Sequence, residues 1–212
     1  MVVRFDGVHD GPTNMGRDSQ LLIAAEAGVA SARVYGWDGP WVSLGRFQQA
    51  DTSLLPDAPV QWVERPTGGR GVLHGHDVTV GLAFPLEGLV ALSEWRSIRA
   101  VYRAAVAPVV SALVACGIDA GLGEAVRAQG VGRSPDCFAA VSANDVVDLK
   151  TGEKVCGCAL RLTETAVLVQ CSIPAGPPLV DPSLVYVHAA RPHWIDLDAA
   201  SFAGALSEVL LA

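Results

Sequence analysis

Two hydrophobic periods alternate along this chain, and they fall in separate stretches. Over residues 14–27, Met15, Leu21, Leu22 and Ala25 share one face of a 3.6-residue repeat; Asn14 stands at the cap position, Asp18 in the first turn and Gly28 at the end, so the spacing predicts a helix. Residues 33–35, 41–44 and 60–63 instead alternate apolar and polar side chains between Gly, Pro and Asp, and predict strands. The alternation continues through 71–84, strictly so at Val78, Val80, Leu82 and Phe84. A second helix is predicted from a Ser93 cap through Trp95, Ile98, Val101, Tyr102, Ala105, Val109 and Leu113 to Gly117, bent at Pro108. After a Gly- and Arg-rich loop over 121–135, residues 137–173 read as further sheet with turns at Thr151, Gly152 and Glu164. A last amphipathic helix is predicted near 197–211, capped by Asp196 or Asp198. Neither a repeat nor a long linker interrupts the pattern, so one domain over residues 1–212 is expected, an α+β fold with helices on one face of a largely antiparallel sheet.

Composition narrows the setting. Half of the 212 residues are hydrophobic and 17% are charged, with a mean hydropathy of +0.35, which excludes a disordered chain. The longest apolar stretch, 104–115, has 12 residues, short of the roughly 20 needed to cross a bilayer. Asp6 interrupts the N-terminal region where a secretory signal needs a continuous apolar run. A cytoplasmic, non-membrane protein is therefore expected. The net charge of −7 argues against nucleic acid and anionic membrane surfaces as partners. Five cysteines are an odd number, and Cys156 and Cys158 lack the spacing of a zinc site, so neither a disulfide framework nor a metal centre is expected.

Two segments carry candidate chemistry. In residues 64–74, the adjacent Gly68 and Gly69 lie between Arg65 and Arg70 and are followed by His74; such a loop can bring backbone N–H groups against a carboxylate, phosphate or thioester carbonyl. An ordinary hairpin turn is the commoner reading of that spacing. His74 and His76 beside Asp77 could orient a general base, or could be satisfied, partly buried donors. The second segment joins Cys137 to Lys154. A neighbouring cation activates a thiol, and an ammonium stabilises an oxyanion, so one cysteine and one lysine suffice for acyl transfer through a thioester. Of the 15 basic residues only Lys150 and Lys154 are lysine, which marks Lys154 as a position needing a compact ammonium. Lys150 reads as a solvated turn residue, and Cys116, Cys156, Cys158 and Cys171 as small buried hydrophobes.

Taken in order, several segments resemble the biotin/lipoate protein ligase superfamily, in particular its lipoate–protein ligase A and octanoyltransferase branches. Asn14 and Met15 with Leu21 and Leu22 resemble the family's first helix; residues 35–40 and 43–48 resemble its first hairpin; residues 65–74 resemble its acyl-binding loop; Cys137, Phe138, Ser142, Asp145 and residues 154–159 resemble its catalytic half. The resemblance implies a mixed, largely antiparallel sheet with helices on one face plus a small second sheet. It also implies attachment of an octanoyl or lipoyl group to a specific lysine of a lipoyl-carrier domain, such as the glycine-cleavage H protein or a 2-oxoacid dehydrogenase subunit. In that reading Cys137 and Lys154 are catalytic, while Arg65, Gly68, Gly69, Arg70, His74, Gly157 and Ala159 bind the acyl substrate.

The branches differ in cofactor. Ligases use ATP and Mg with an accessory C-terminal domain, for which the roughly 40 residues after the last matching strand leave no room. Octanoyltransferases take the acyl group from acyl carrier protein through a cysteine thioester and need no cofactor. Cys137 at the nucleophile position favours the transferase; a ligase core served by a separate accessory subunit and a non-catalytic acyl-binding paralogue are the alternatives. Because acyl carriers and lipoyl domains are acidic, docking is expected to use arginines such as Arg46, Arg70, Arg127, Arg133 and Arg161.

Overall fold

The computed structural model describes residues 1–125 and 134–212; Arg127 and Arg133 lie outside the described residues. In chain order the elements are β1 (Val2–His9), α1 (Gly11–Glu26), β2 (Ser31–Trp37), β3 (Trp41–Gly45), the short α2 (Ala50–Ser53), β4 (Gln61–Arg65), β5 (Val72–Leu73), β6 (Asp77–Pro85), α3 (Ile98–Ala115), β7 (Ala120–Leu122), β8 (Val146–Asp148), β9 (Lys154–Leu162), β10 (Ala166–Pro174) and α4 (Ala199–Leu211). Seven strands form a sheet in the order β1-β2-β6-β10-β9-β8-β7, and three form a second sheet, β4-β3-β5. The β1–β2 and β3–β4 pairs are parallel, the rest antiparallel. This is the mixed, largely antiparallel architecture with a small second sheet that the sequence implies.

The period-2 alternation on β2, β6 and β10 divides the molecule into two layers. Val34, Val80, Leu82, Val169 and Ile173 meet Val101, Val109, Phe202 and Leu206 of α3 and α4 in the main core. Each fully buried side chain of this kind contributes about 1.5–3 kcal/mol. On the opposite face, Leu22 and Ala25 of α1 pack on Ala83 and Leu168. The expected single helical face thus describes α3 and α4, whereas α1 covers the other side together with the small sheet. Cover on both faces explains why all nine residues of β10 are buried.

Local departures from the sequence reading have specific causes. The first helix begins at Gly11, three residues early: Asp10 is the cap, accepting from the Thr13 N–H at 2.8 Å, and Pro12 occupies the first turn, where its missing N–H costs nothing. Asn14 is instead buried, donating to the His9 and Gly36 carbonyls. The long helix starts at Ile98 with a Ser97 cap, after a separate 3₁₀ turn at Leu92–Glu94, so Ser93 caps nothing. β1 was not legible, because it is an edge strand whose Val2, Phe5 and Val8 are exposed. Residues 35–40 and 43–48 do not form a hairpin: β2 and β3 belong to different sheets. At 18 residues and a hydropathy of 1.5, α3 has the length and apolarity of a membrane span, more than the 12-residue stretch suggested, but its Val101, Tyr102, Ala105, Val106, Val109, Ala112 and Leu113 are packed in the core.

A buried ionic network joins α1 to the sheet. Arg33 donates to Asp18 at 2.8 Å, Asp6 at 2.9 Å and the Asn14 side-chain oxygen at 2.8 Å, and lies 3.6 Å over the Tyr35 ring. Asp18 also accepts from Tyr35 at 2.7 Å and Gln170 at 2.6 Å. Burial pushes the Asp18 carboxyl above the usual carboxylate range against the pull of Arg33 and Tyr35. Asp18→Ala removes the acceptor shared by Arg33, Tyr35 and Gln170, leaving the Tyr35 hydroxyl without a partner and the buried Arg33 without one of its two carboxylates, and is expected to lower unfolding free energy by about 3–5 kcal/mol; a urea denaturation showing less than about 1 kcal/mol would contradict this placement.

Candidate active site

The residues singled out from the sequence converge on the α1 side of the main sheet. Cys137 opens a 3₁₀ turn, Cys137–Ala139, capped by Asp136, whose carboxylate accepts from the Phe138 N–H at 2.9 Å and the Ala190 N–H at 2.7 Å. Burial outweighs these bonds and raises the Asp136 pKa. The turn is tied to the glycine loop: the Cys137 N–H donates to the Gly71 carbonyl and the Gly71 N–H to the Pro135 carbonyl, each at 2.8 Å. Backbone bonding thus places the thiol beside the loop that the sequence singled out separately.

Lys154 reaches the same point because β9 is irregular. The register against β8 shifts between Val146 and Val147, and the extra residue lets Val155 and Cys156 both enter the core. Lys154 and Gly157 consequently share the site face. The Lys154 Nζ lies 3.2 Å from Cys137 Sγ and donates to the Cys137 carbonyl at 2.7 Å. It pairs with Asp145 at 3.0 Å, which also accepts from the Ser142 N–H and hydroxyl at 2.8 and 2.9 Å. Burial disfavours the ammonium, but Cys137 and Asp145 more than offset it, so the Lys154 pKa is raised. The group stays charged through neutral pH. A Cβ on Gly157 would stand 3.1 Å from Cys137 Sγ and 3.3 Å from Lys154 Cε, so this glycine makes room for both.

In front of Cys137 lies a narrow cavity, lined among others by Tyr35, Trp37, Ser43, Ala159 and Gln170. Arg65, Gly69, His74 and Gly157 also line it. Arg65 directs its guanidinium into its own loop: to the carbonyls of Ser43, Gly68 and Arg70 at 2.7, 2.6 and 2.7 Å, and to Thr67 Oγ1 at 3.2 Å. Its role in the structure is to hold Gly68, Gly69 and Arg70 in place. Gly69 sits at φ +89°, and a Cβ on the facing Gly45 would overlap the Gly69 carbonyl. Arg70 is half-buried, and Arg46 and Arg161 are exposed.

His74 does not lie on a continuous strand; the predicted run over 71–84 breaks at Gly75, where φ is +109°. The ring stacks on Trp37 with centroids 3.9 Å apart, contacts Ser43 Oγ through Nε2 and Asp77 through Nδ1, both at 2.8 Å. Asp77 accepts further from Thr79 at 2.8 Å and Ser172 at 2.7 Å. Trp37, Ser43 and Gln170 were not found from sequence, since only the meeting of two sheets brings them here. Asp136 had a local signal, an Asp immediately before a short turn. His76 does not join this network.

Two consequences are measurable. Gly157→Ala is expected to cost about 1–3 kcal/mol through crowding, and Cys137→Ala in the same chain should recover part of it; additive costs in urea unfolding would contradict the contact. Burial would raise Asp77, but the His74 ring and the Ser172 hydroxyl lower it from 3.8 to about 2. A depressed carboxylate stabilises the fold above its ordinary pKa and loses that stability as pH falls through the folded value. Stability should therefore drop by about 2 kcal/mol between about pH 5 and 2, a loss absent from Asp77→Asn; identical acid limbs in the two proteins would count against it.

The sequence model of the lipoyl protein ligase A/B catalytic domain matches residues 10–190. The octanoyltransferase LipM of Symbiobacterium thermophilum is 29% identical over 173 residues, 79% of this chain and 62% of the relative. That of Kyrpidia tusciae is 43% identical over 72 residues, 31% of this chain and 26% of the relative. The chain thus spans less than two thirds of the length of these relatives. Among solved structures, a lipoate-protein ligase A bound with ATP superposes with a TM-score of 0.67 at 18% identity, covering 99% of this chain and 85% of the other. A bi-partite lipoate protein ligase from Thermoplasma acidophilum gives 0.65 at 19% identity, covering 98% and 85%. These structures share the fold, and with a family match that runs through the glycine loop, Cys137 and Lys154, this chain belongs to the lipoyl protein ligase A/B catalytic domain family.

Proposed function

We propose that this protein is an acyltransferase that moves an octanoyl or lipoyl group from an acyl-carrier thioester, through a thioester on Cys137, to a lysine of a lipoyl-carrier domain. The observation that carries this reading is the Lys154 ammonium 3.2 Å from the Cys137 sulfur, which lies at the wall of a cavity. Similarity to LipM octanoyltransferases supports it. The Cys137 thiolate attacks the donor carbonyl, with Lys154 stabilising first the thiolate and then the tetrahedral oxyanion. The carrier thiolate departs and takes up a proton. A neutral lysine amine of the acceptor then attacks the Cys137 thioester, and its proton passes to the departing sulfur. Because Lys154 remains an ammonium, its part is electrostatic rather than that of a base.

In this reading the aliphatic chain enters the cavity beyond Cys137. Its polar lining groups are satisfied among themselves: Ser172 and Thr79 donate to Asp77, and Thr67 donates to Gln170. With donors and acceptors engaged internally, the wall makes few demands on an apolar tail. Acyl carrier protein is the proposed donor, and the acceptor is a lipoyl domain of the glycine-cleavage H protein or 2-oxoacid dehydrogenase type, in the cytoplasm. Transfer from a thioester consumes no ATP.

Incubation with octanoyl-acyl carrier protein should add one octanoyl group by intact mass, located on Cys137 and chased onto a lipoyl domain. Lys154→Ala should slow transfer about 10²–10³-fold, the range for losing one oxyanion donor. An adduct that persists unchanged in Cys137→Ala, or acylation that requires ATP and releases pyrophosphate, would overturn the transferase reading.

A further inference from the structure

A second constellation lies where β9 meets β10, and two of its members, Cys158 and Cys171, also line the acyl cavity. Cys158 and Cys171 are direct partners across the β9–β10 ladder, with sulfurs 3.4 Å apart. Cys156, two residues along β9, places its sulfur 3.6 Å from that of Cys158. All three sulfur atoms lie within 4.8 Å of one another, in a group holding no imidazole or carboxylate. Cys156 and Cys171 are fully buried in the main core, and Cys158 is half-buried at its edge.

Charge decides what such a cluster can hold. Three thiolates carry −3. A monovalent ion leaves −2 and a divalent ion −1 inside an apolar core, each costing several kcal/mol, and zinc also requires a fourth ligand. A trivalent centre leaves no net charge. Three soft sulfurs, with no imidazole or carboxylate among the described residues joining them, describe a three-coordinate, thiophilic ligand set.

We propose that Cys156, Cys158 and Cys171 form a binding site for trivalent arsenic. Neutral arsenous acid condenses with the three thiols: three As–O and three S–H bonds break, three As–S bonds form, and three waters leave. No electron is transferred and no net proton is released, so reactants and product are all uncharged. The half-buried Cys158 is the entry thiol, with Cys171 and Cys156 closing on the centre. The product links β9 to β10 across the sheet at the wall of the acyl cavity.

The test uses the full chain with Cys116→Ser and Cys137→Ser, which retains only these three thiols. Sodium arsenite should add one arsenic in place of three hydrogens per chain by intact mass and raise Tm. A further Cys158→Ser should weaken arsenite binding at least tenfold. Arsenic X-ray absorption of the three-thiol protein should show three sulfur neighbours and no oxygen, a measurement that does not depend on the serine variant folding. Absence of the adduct, undiminished binding without Cys158, fewer than three sulfur neighbours, or displacement of arsenite by equimolar zinc would each overturn the site.

Discussion

A lysine ammonium held almost out of water is the constraint around which the site is arranged. Lys154 is 7% exposed, and an unpaired charge at such depth costs several kcal/mol. Its stabilisation comes from three places far apart in the chain: the Asp145 carboxylate, the Cys137 carbonyl and the Cys137 sulfur. Asp145 can serve only while the Ser142 N–H and hydroxyl hold it, and Cys137 only while its turn is bonded to Gly71. The bulge in β9 completes the arrangement, since regular alternation would send the lysine into the apolar core. One charge thereby requires the 142–145 turn, the cysteine turn, the glycine loop and β9 to assemble together.

The same economy appears on the other side of the cavity, where Asp77 is the acceptor around which His74, Thr79 and Ser172 are organised. Trp37 supports both the His74 ring, by stacking, and Thr79, by donating its indole N–H at 2.8 Å. These residues come from β2, β6, β10 and the turn before β6. A network of this kind is costly when partly satisfied, and here its members supply one another.

Much of this architecture was legible from residue patterns where the determinants are local. The alternation of Val78, Val80, Leu82 and Phe84 identifies β6 because one face of that strand meets the helices regardless of its neighbours. Lys154 stood out through the scarcity of lysine. What was missed depends on pairing. The sequence of residues 35–48 looks like a hairpin, but Trp41 and Val42 find their partners in β4 and β5 rather than in β2. Asn14 has the chemistry of a cap, but Asp10 and Pro12 start the helix earlier and leave it to a buried role. Arg65 has the chemistry of an anion ligand, and only the loop's folded shape reveals that its donors are already engaged. Cys158 and Cys171 are 13 residues apart in sequence, and ladder register alone makes them neighbours.

The inward-turned guanidinium of Arg65 has a consequence for binding thermodynamics. Loops rich in glycine are expensive to order, since each residue fixed costs about 1–2 kcal/mol of conformational entropy at 25 °C. In this protein that ordering occurs during folding, with an internal cation gripping three carbonyls before any ligand arrives. A molecule entering the cavity therefore meets a rigid wall and need not supply the ordering from its own contacts. The loop's affinity for its ligand is set largely at the folding step, by a side chain whose polar contacts are all made to protein.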